Sequence, residues 1–308
     1  MAKAPSSVGL VRFIFAALFI VVAAGSWDVW WHGAFGRDSF IEPPHLLLYA
    51  ASAAALVAGA LAFYRFRDGS WRRITLALLA ISLWAPLDNV WHRLFGVEDL
   101  FSVLAVWSPP HLFLVAAIVT ALWFLFPKLE NDRLGRQFFG SLAISSLAVL
   151  LVFAVLPFHP LGPYRLWGPW GAVYITAILA GFFIASQSLV GGFGRATMVG
   201  AFFALLHAMQ YHWSNVPDAV VPFHAHPPAW LVIGSVLAMA ALIDIARKLP
   251  QDVLGGAAGL LFGAILFGSI SSFDPEFLLA GSDVIAAIGA STAGGVIGGF
   301  LSRQFAPR

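Results

Sequence analysis

Ten stretches of mostly apolar residues run along the chain, and the short segments between them carry most of its charge. A helix needs about 20 consecutive apolar residues to cross the hydrocarbon core of a bilayer. The pattern therefore predicts an all-α integral membrane protein with about ten transmembrane helices. The predicted spans cover residues 8–28, 45–64, 74–92, 110–127, 137–157, 169–190, 196–212, 228–246, 254–271 and 282–302.

The composition excludes a soluble protein. Of the 308 residues, 60% are hydrophobic and only 10% are charged, and the mean hydropathy is +0.86. Soluble domains carry about 25% charged residues. The formal net charge of +2 comes without a basic block, so we expect no nucleic-acid partner. The chain has no cysteine, so a metal would have to be bound by histidine, carboxylate, methionine or backbone oxygen.

The positions of the basic residues predict the orientation. Ten spans would put both termini on one side of the membrane, and on this map all but three of the 17 Lys and Arg residues share that side. Lys and Arg are enriched in cytoplasmic loops. We therefore expect cytoplasmic termini in a cell (inner) membrane. The nine histidines then lie at or near the outer, periplasmic face, at positions 32, 45, 92, 111, 159, 207, 212, 224 and 226.

Two segments in the first half of the chain are near copies of each other. Both follow the pattern D-x-x-W-H-x-x-F-G … P-P-H, and each joins the end of one predicted span to the start of the next. An internal duplication would explain this repeat. We call residues 28–45 the first hairpin and residues 88–111 the second hairpin. Their candidate metal ligands are Asp28, His32 and His45 in the first hairpin, and Asp88, His92 and His111 in the second.

The spacing of these residues has a chemical rationale. Asp and His at positions i and i+4 share one face of a helix. The Pro-Pro pair favours a helix start, because proline is preferred at the first helical position. The following histidine would then lie in the first turn of the returning helix, beside the other two side chains. Two imidazoles and one carboxylate suit zinc, copper, nickel or iron and leave positions open for water or substrate.

Four more histidines form a third cluster near the outer end of the seventh and eighth predicted spans. One interpretation is a degenerate third copy of the hairpin, or an additional metal site. The alternative is a set of interfacial loop histidines without a metal. The four residues are His207, His212, His224 and His226.

The first hairpin resembles a segment of the C subunit of the copper membrane monooxygenases, the particulate methane and ammonia monooxygenases. The shared pattern is D-x-x-W-H-x4-R-D-x4-P-x-H, and the similarity is weaker over the second hairpin, where Asp88 replaces an Asn. The resemblance implies a copper site at Asp28, His32 and His45, and a second site at Asp88, His92 and His111. It also implies other membrane subunits, a separate soluble copper-binding subunit and a small apolar substrate. This chain departs from the family in having more spans.

These observations lead to one functional hypothesis and two alternatives. The leading hypothesis is a copper-binding subunit of a monooxygenase-like complex that activates O2, with iron or zinc as alternative metals. The alternatives are a non-catalytic protein for metal storage or delivery, and a b-type haem or quinol protein. The predicted division is a duplicated hairpin region (1–127), a connecting helical hairpin (128–190), and a C-terminal region (191–308) with the third histidine cluster and glycine-rich helices.

Overall fold

The computed structural model describes residues 7–35, 40–96, 107–155, 169–211, 229–273 and 281–305. These residues are almost entirely helical, and no strand occurs among them. The helices are α1 Ser7–Phe35, α2 Pro43–Phe66, α3 Gly69–Phe95, α4 Pro109–Leu125, α5 Arg133–Val155, α6 Pro169–Leu189, α7 Arg195–Tyr211, α8 Ala229–Ile245, α9 Gln251–Phe273 and α10 Gly281–Ser302. Short 3₁₀ segments follow α4 and α10, at Phe126–Leu129 and Arg303–Phe305.

Each predicted span overlaps one of these helices. Within the described ranges, eight helices are long and apolar enough to cross a membrane, and α7 and α8 are shorter apolar helices of 17 residues each. The predicted all-helical membrane fold is therefore confirmed at this level. The first predicted span ended at residue 28, whereas α1 continues to Phe35.

The chain forms two compact units, Met1–Ser146 and Leu147–Arg308. In the first unit, α1 packs on α2, α2 on α3 and α3 on α4, and α4 also contacts α1. Ile14, Leu18, Leu78 and Ile118 are fully buried in this unit. This packing places the ends of α1 and α3 beside the starts of α2 and α4, where both hairpins lie.

Two ion pairs lie at the end of the first unit opposite the hairpins. The Arg12 guanidinium donates two hydrogen bonds of 2.7 Å to Asp132, and Lys128 donates one of 2.7 Å to Asp68. These hydrogen bonds from Arg12 and Lys128 lower the pKa of the Asp132 and Asp68 carboxyls respectively. Both carboxylates therefore stay charged at a lower pH than an isolated aspartate.

The second unit is built on close contacts between glycine-bearing helices. On α10, Gly294 lies against the Val173 backbone and Gly298 against the Ala177 carbonyl, while Gly295 faces Gly255 of α9. A Cβ atom at any of these three α10 glycines would overlap backbone atoms of the neighbouring helix. Small residues at helix contacts let backbones approach closely in lipid, where packing is a main source of association.

Asp244 connects two helices in the second unit. Its buried carboxylate accepts hydrogen bonds from the Thr197 backbone N–H (2.8 Å), the Thr197 hydroxyl (2.7 Å) and the Ala196 N–H (3.3 Å). Asp244, at the end of α8, therefore caps the start of α7. A negative charge at this end of a helix is also favoured by the helix dipole.

Candidate metal centre

The first hairpin has the local structure that its sequence predicts. Asp28 and His32 lie one turn apart on α1, and α2 begins at Pro43, so His45 lies in its first turn. Glu42 has an extended backbone (φ −102°, ψ 155°) and occupies the N-cap position of α2. The Pro-Pro pair thus starts the helix as expected and sets His45 beside the last turns of α1.

Asp28 lies between the two histidines. Its Oδ1 is 3.3 Å from Nε2 of His32 and 3.0 Å from Nε2 of His45. The two imidazole centroids are 5.6 Å apart, and the planes are inclined by 59°. The three residues that the sequence singled out in this hairpin are therefore brought together.

A fourth residue, Glu42, belongs to the same cluster and was not among the ligands predicted from the sequence. Each of Asp28, His32, Glu42 and His45 offers one donor atom, and these atoms all lie within 4.8 Å of one another. Glu42 is buried, with 4% of its surface exposed. The missed signal was its position: it precedes the Pro-Pro pair and lies three residues before His45. Comparison of the two hairpins hid it, because Ser108 stands at the matching place.

Aromatic side chains surround this cluster. The Tyr49 ring stacks on His45 with a centroid distance of 5.9 Å, and its hydroxyl donates a 3.2 Å hydrogen bond to the Phe40 carbonyl. Trp31 packs against Phe35 one turn further along α1, at 4.8 Å. Buried carboxylates and imidazoles in such an apolar setting gain little from water, so a bound cation would compensate their charge efficiently.

The second hairpin has a similar but more open arrangement. Asp88 lies 3.7 Å from His92 through Oδ2 and Nδ1, and 3.7 Å from Nε2 of His111 through Oδ1. Ser108 is fully buried and forms the N-cap of α4, and its Oγ makes no hydrogen bond within the described residues. Over the described ranges, only the first hairpin brings three or more acidic or histidine donors within 4.8 Å of one another.

The two hairpins lie near each other in the first unit. The Asp88 carboxylate acts electrostatically on both His45 and Tyr49. Charges interact appreciably only over short distances at ordinary ionic strength, about 10 Å in solvent. Occupation of one hairpin by a cation would therefore change the electrostatic potential at the other.

The third histidine cluster is only partly described. His207 is buried on α7, and its ring stacks on Phe203 with a centroid distance of 6.0 Å. His212, His224 and His226 lie outside the described residues. A metal site in this cluster stays a prediction.

No family model, curated protein or solved structure matches this chain. The resemblance to the monooxygenase C subunit therefore stays a prediction from the residues of the first hairpin.

Proposed function

We propose that the protein is the metal-binding membrane subunit of a copper-dependent, monooxygenase-like complex that oxidises a small apolar substrate with O2. The observation that carries the proposal is the cluster of buried His32 and Glu42 with half-buried Asp28 and His45, whose donor atoms lie within 4.8 Å of one another. Ionisable side chains at or near membrane depth are costly, and they usually serve a function.

The donor set of the first hairpin fits a divalent first-row transition metal. Two imidazoles and two carboxylates are borderline-to-hard donors, which suit copper(II), iron(II) and zinc. The two carboxylates would balance the charge of a divalent ion inside an apolar setting. Copper(II) forms the strongest complexes of this series with such ligands, so copper is the metal we propose, with iron or zinc as competing outcomes of metal analysis.

The proposed reaction rests on the motif and on the setting of the cluster. A bound copper ion would supply O2 activation, while Asp28, His32 and His45 would hold and orient it. The surrounding apolar helices would give a small apolar substrate a route through the bilayer to the site. The motif of the first hairpin supports the proposal by its resemblance to the monooxygenase C subunit.

The proposal includes an orientation and partners. We place the ten spans in a cell (inner) membrane, and the distribution of Lys and Arg supports cytoplasmic termini with both hairpins on the outer, periplasmic side. Further membrane subunits and a separate soluble copper-binding subunit would complete the complex and supply electrons.

One observation favours metal storage or delivery as a second candidate function. Glu42 raises the number of donors in the first hairpin from three to four. Four protein ligands are typical of closed structural metal sites, whereas catalytic sites keep a position open. The haem alternative is not favoured at this hairpin, since Asp28 lies 3.3 Å and 3.0 Å from the two Nε2 atoms and occupies the space between the rings.

Metal analysis of purified variants tests the proposal. The wild-type protein, His32→Ala and His45→Ala are stripped with a chelator, reloaded with copper(II), iron(II) or zinc, and analysed for bound metal. We expect each variant to lose one equivalent of copper. Asp68→Asn, at the opposite end of the same unit, is the control and should keep the wild-type content. Unchanged metal content in both histidine variants would refute the metal site.

Oxidation assays separate the two candidate functions. Copper-loaded membranes that contain the complex are supplied with a reductant, O2 and short alkanes or ammonia. Product formation that is lost in His45→Ala supports the monooxygenase. Stoichiometric copper transfer to an apo-acceptor protein, without oxidation of any substrate, supports delivery.

A further inference from the structure

The two hairpins differ at the residue that immediately precedes the Pro-Pro pair. Glu42 forms the N-cap of α2, and Ser108 forms the N-cap of α4. Both are buried, and neither side chain caps its helix by a hydrogen bond. Proline occupies the first two positions of both helices, so the N–H group that usually donates to an N-cap side chain at the second position is missing.

The carboxylates of Glu42 and Asp28 lie on opposite edges of both imidazoles. Glu42 Oε2 is 3.8 Å from Nδ1 of His32 and 4.0 Å from Nδ1 of His45. Asp28 Oδ1 lies on the Nε2 edge of the same two rings, at 3.3 Å and 3.0 Å. Each ring therefore has the Asp28 carboxylate near Nε2 and the Glu42 carboxylate near Nδ1.

Tyr49 holds the segment that contains Glu42 in place against α2. Its hydroxyl donates to the Phe40 carbonyl, and its ring stacks on His45. The residues from Phe40 to Glu42 are thereby tied to α2, one turn beyond the histidine. In the second hairpin, the position that matches Tyr49 is Val115, which has no hydroxyl.

We infer that Glu42 is a positioning residue, which accepts the Nδ1–H groups of His32 and His45 and so directs both Nε2 lone pairs toward Asp28 and a shared metal ion. The inference rests on the metal site of the proposed function. A neutral imidazole has one N–H and one lone pair, and the acceptor on one nitrogen decides which nitrogen binds the metal. A movement of about 1 Å brings either contact to hydrogen-bond length.

A difference between the two hairpins follows from the inference. Ser108 carries no negative charge, so it would hold the rings of His92 and His111 less firmly and would not raise their basicity. The first hairpin is therefore the higher-affinity metal site of the two.

Reciprocal exchange of the two N-cap residues tests the inference. The first hairpin is measured alone in a His92→Ala/His111→Ala background, with copper(II) and a competing chelator. Glu42→Ser should weaken copper binding about tenfold to hundredfold, which is the usual effect of losing such an outer carboxylate. Glu42→Gln keeps an acceptor oxygen of the same shape and should lose less. In a His32→Ala/His45→Ala background, Ser108→Glu should strengthen binding to the second hairpin.

A spectroscopic readout separates positioning from a purely structural role. Electron spin echo envelope modulation of the copper(II)-loaded protein reports the nuclear quadrupole coupling of the remote ring nitrogen, which depends on the hydrogen bond at that nitrogen. We expect this coupling to change in Glu42→Ser and to return toward the wild-type value in Glu42→Asp. Helix content by circular dichroism and elution as a single species identify the variants that have folded.

The outcomes distinguish this inference from the proposed function. If His45→Ala loses copper while Glu42→Ser keeps the wild-type affinity and quadrupole coupling, the metal site stands and the role of Glu42 is refuted. If Glu42→Ser loses copper as completely as His45→Ala, Glu42 is a direct ligand and the positioning role is likewise refuted. If neither histidine variant changes the copper content, the proposed function itself fails.

Discussion

Oδ1 of Asp28 lies 3.0 Å from Nε2 of His45, although the two residues belong to different helices. The same oxygen lies 3.3 Å from His32 on its own helix. Asp28 is thus one point of contact between α1 and α2 in the first hairpin. This contact joins the acid on the outgoing helix to the histidine on the returning one.

Asp28→Asn should weaken copper binding strongly, because the amide has neither the charge nor the basicity of the carboxylate. Even outer carboxylates of metal sites contribute about tenfold to hundredfold in affinity, and we expect at least that loss here. Chelator competition on the purified protein measures it. Asp68→Asn is the matched control, and an Asp28→Asn protein with the control's affinity would contradict the prediction.

Low pH should destabilise the end of the first unit that contains the ion pairs of Asp68 and Asp132. Lys128 and Arg12 lower the pKa of these carboxyls. Their stabilisation is fully present above the ordinary carboxyl pKa of about 3.9 and is lost as the pH falls through the lowered values. Thermal unfolding in detergent from pH 7 to the lowest accessible pH measures this loss.

Asp132→Asn should therefore be less stable than wild type at neutral pH and should show a shallower decrease on acidification. Glu130→Gln, at an exposed acid in the same segment, is the control. A steeper loss of stability on acidification in Asp132→Asn than in wild type would contradict this prediction.

Gly298→Ala should destabilise the second unit by about 1–3 kcal/mol, the usual cost of overpacking. The added methyl group would overlap the Ala177 carbonyl oxygen of α6. Gly289, on the same helix, has no atom within 4 Å of the corresponding Cβ position. Gly289→Ala should consequently be neutral or slightly stabilising, because alanine favours helix over glycine. Thermal unfolding of the two variants in detergent compares them, and equal stabilities would contradict the close packing.

Asp244→Ala should destabilise the protein by about 2 kcal/mol, since hydrogen bonds to a charged group are worth about 1.5–3 kcal/mol. The substitution removes the acceptor of the Thr197 backbone N–H and hydroxyl. Asp283→Ala, at an exposed acid in the first turn of α10, is the control. Chemical unfolding monitored by circular dichroism gives both values. A larger loss in Asp283→Ala would show that the cap on α7 contributes little.

The helices were predictable because their apolar length is dictated by the bilayer, and the hairpins because a motif occurs twice. The first predicted span ended at Asp28 because a charged residue was taken as its boundary, but the helix continues past this aspartate to Phe35. The predicted start of α2 was closer, since Pro43 and Pro44 mark it directly.

Glu42 and the partners of the glycine contacts were not predictable, for different physical reasons. A repeat draws attention to residues that both copies share, and Glu42 differs from its counterpart Ser108. The contact of Gly298 with Ala177 depends on which helices are neighbours, and hydropathy carries no such information. The cap on α7 was not predictable either, because its carboxylate comes from Asp244 at the end of α8, far from α7's start in sequence.

The N-cap positions of α2 and α4 make the hairpins convenient scaffolds for redesign. In each, the following prolines set the start of the helix, and the side chain before them takes no part in capping. Cysteine, aspartate or histidine could thus be exchanged there to tune metal selectivity, while the backbone of the bundle is left as it is.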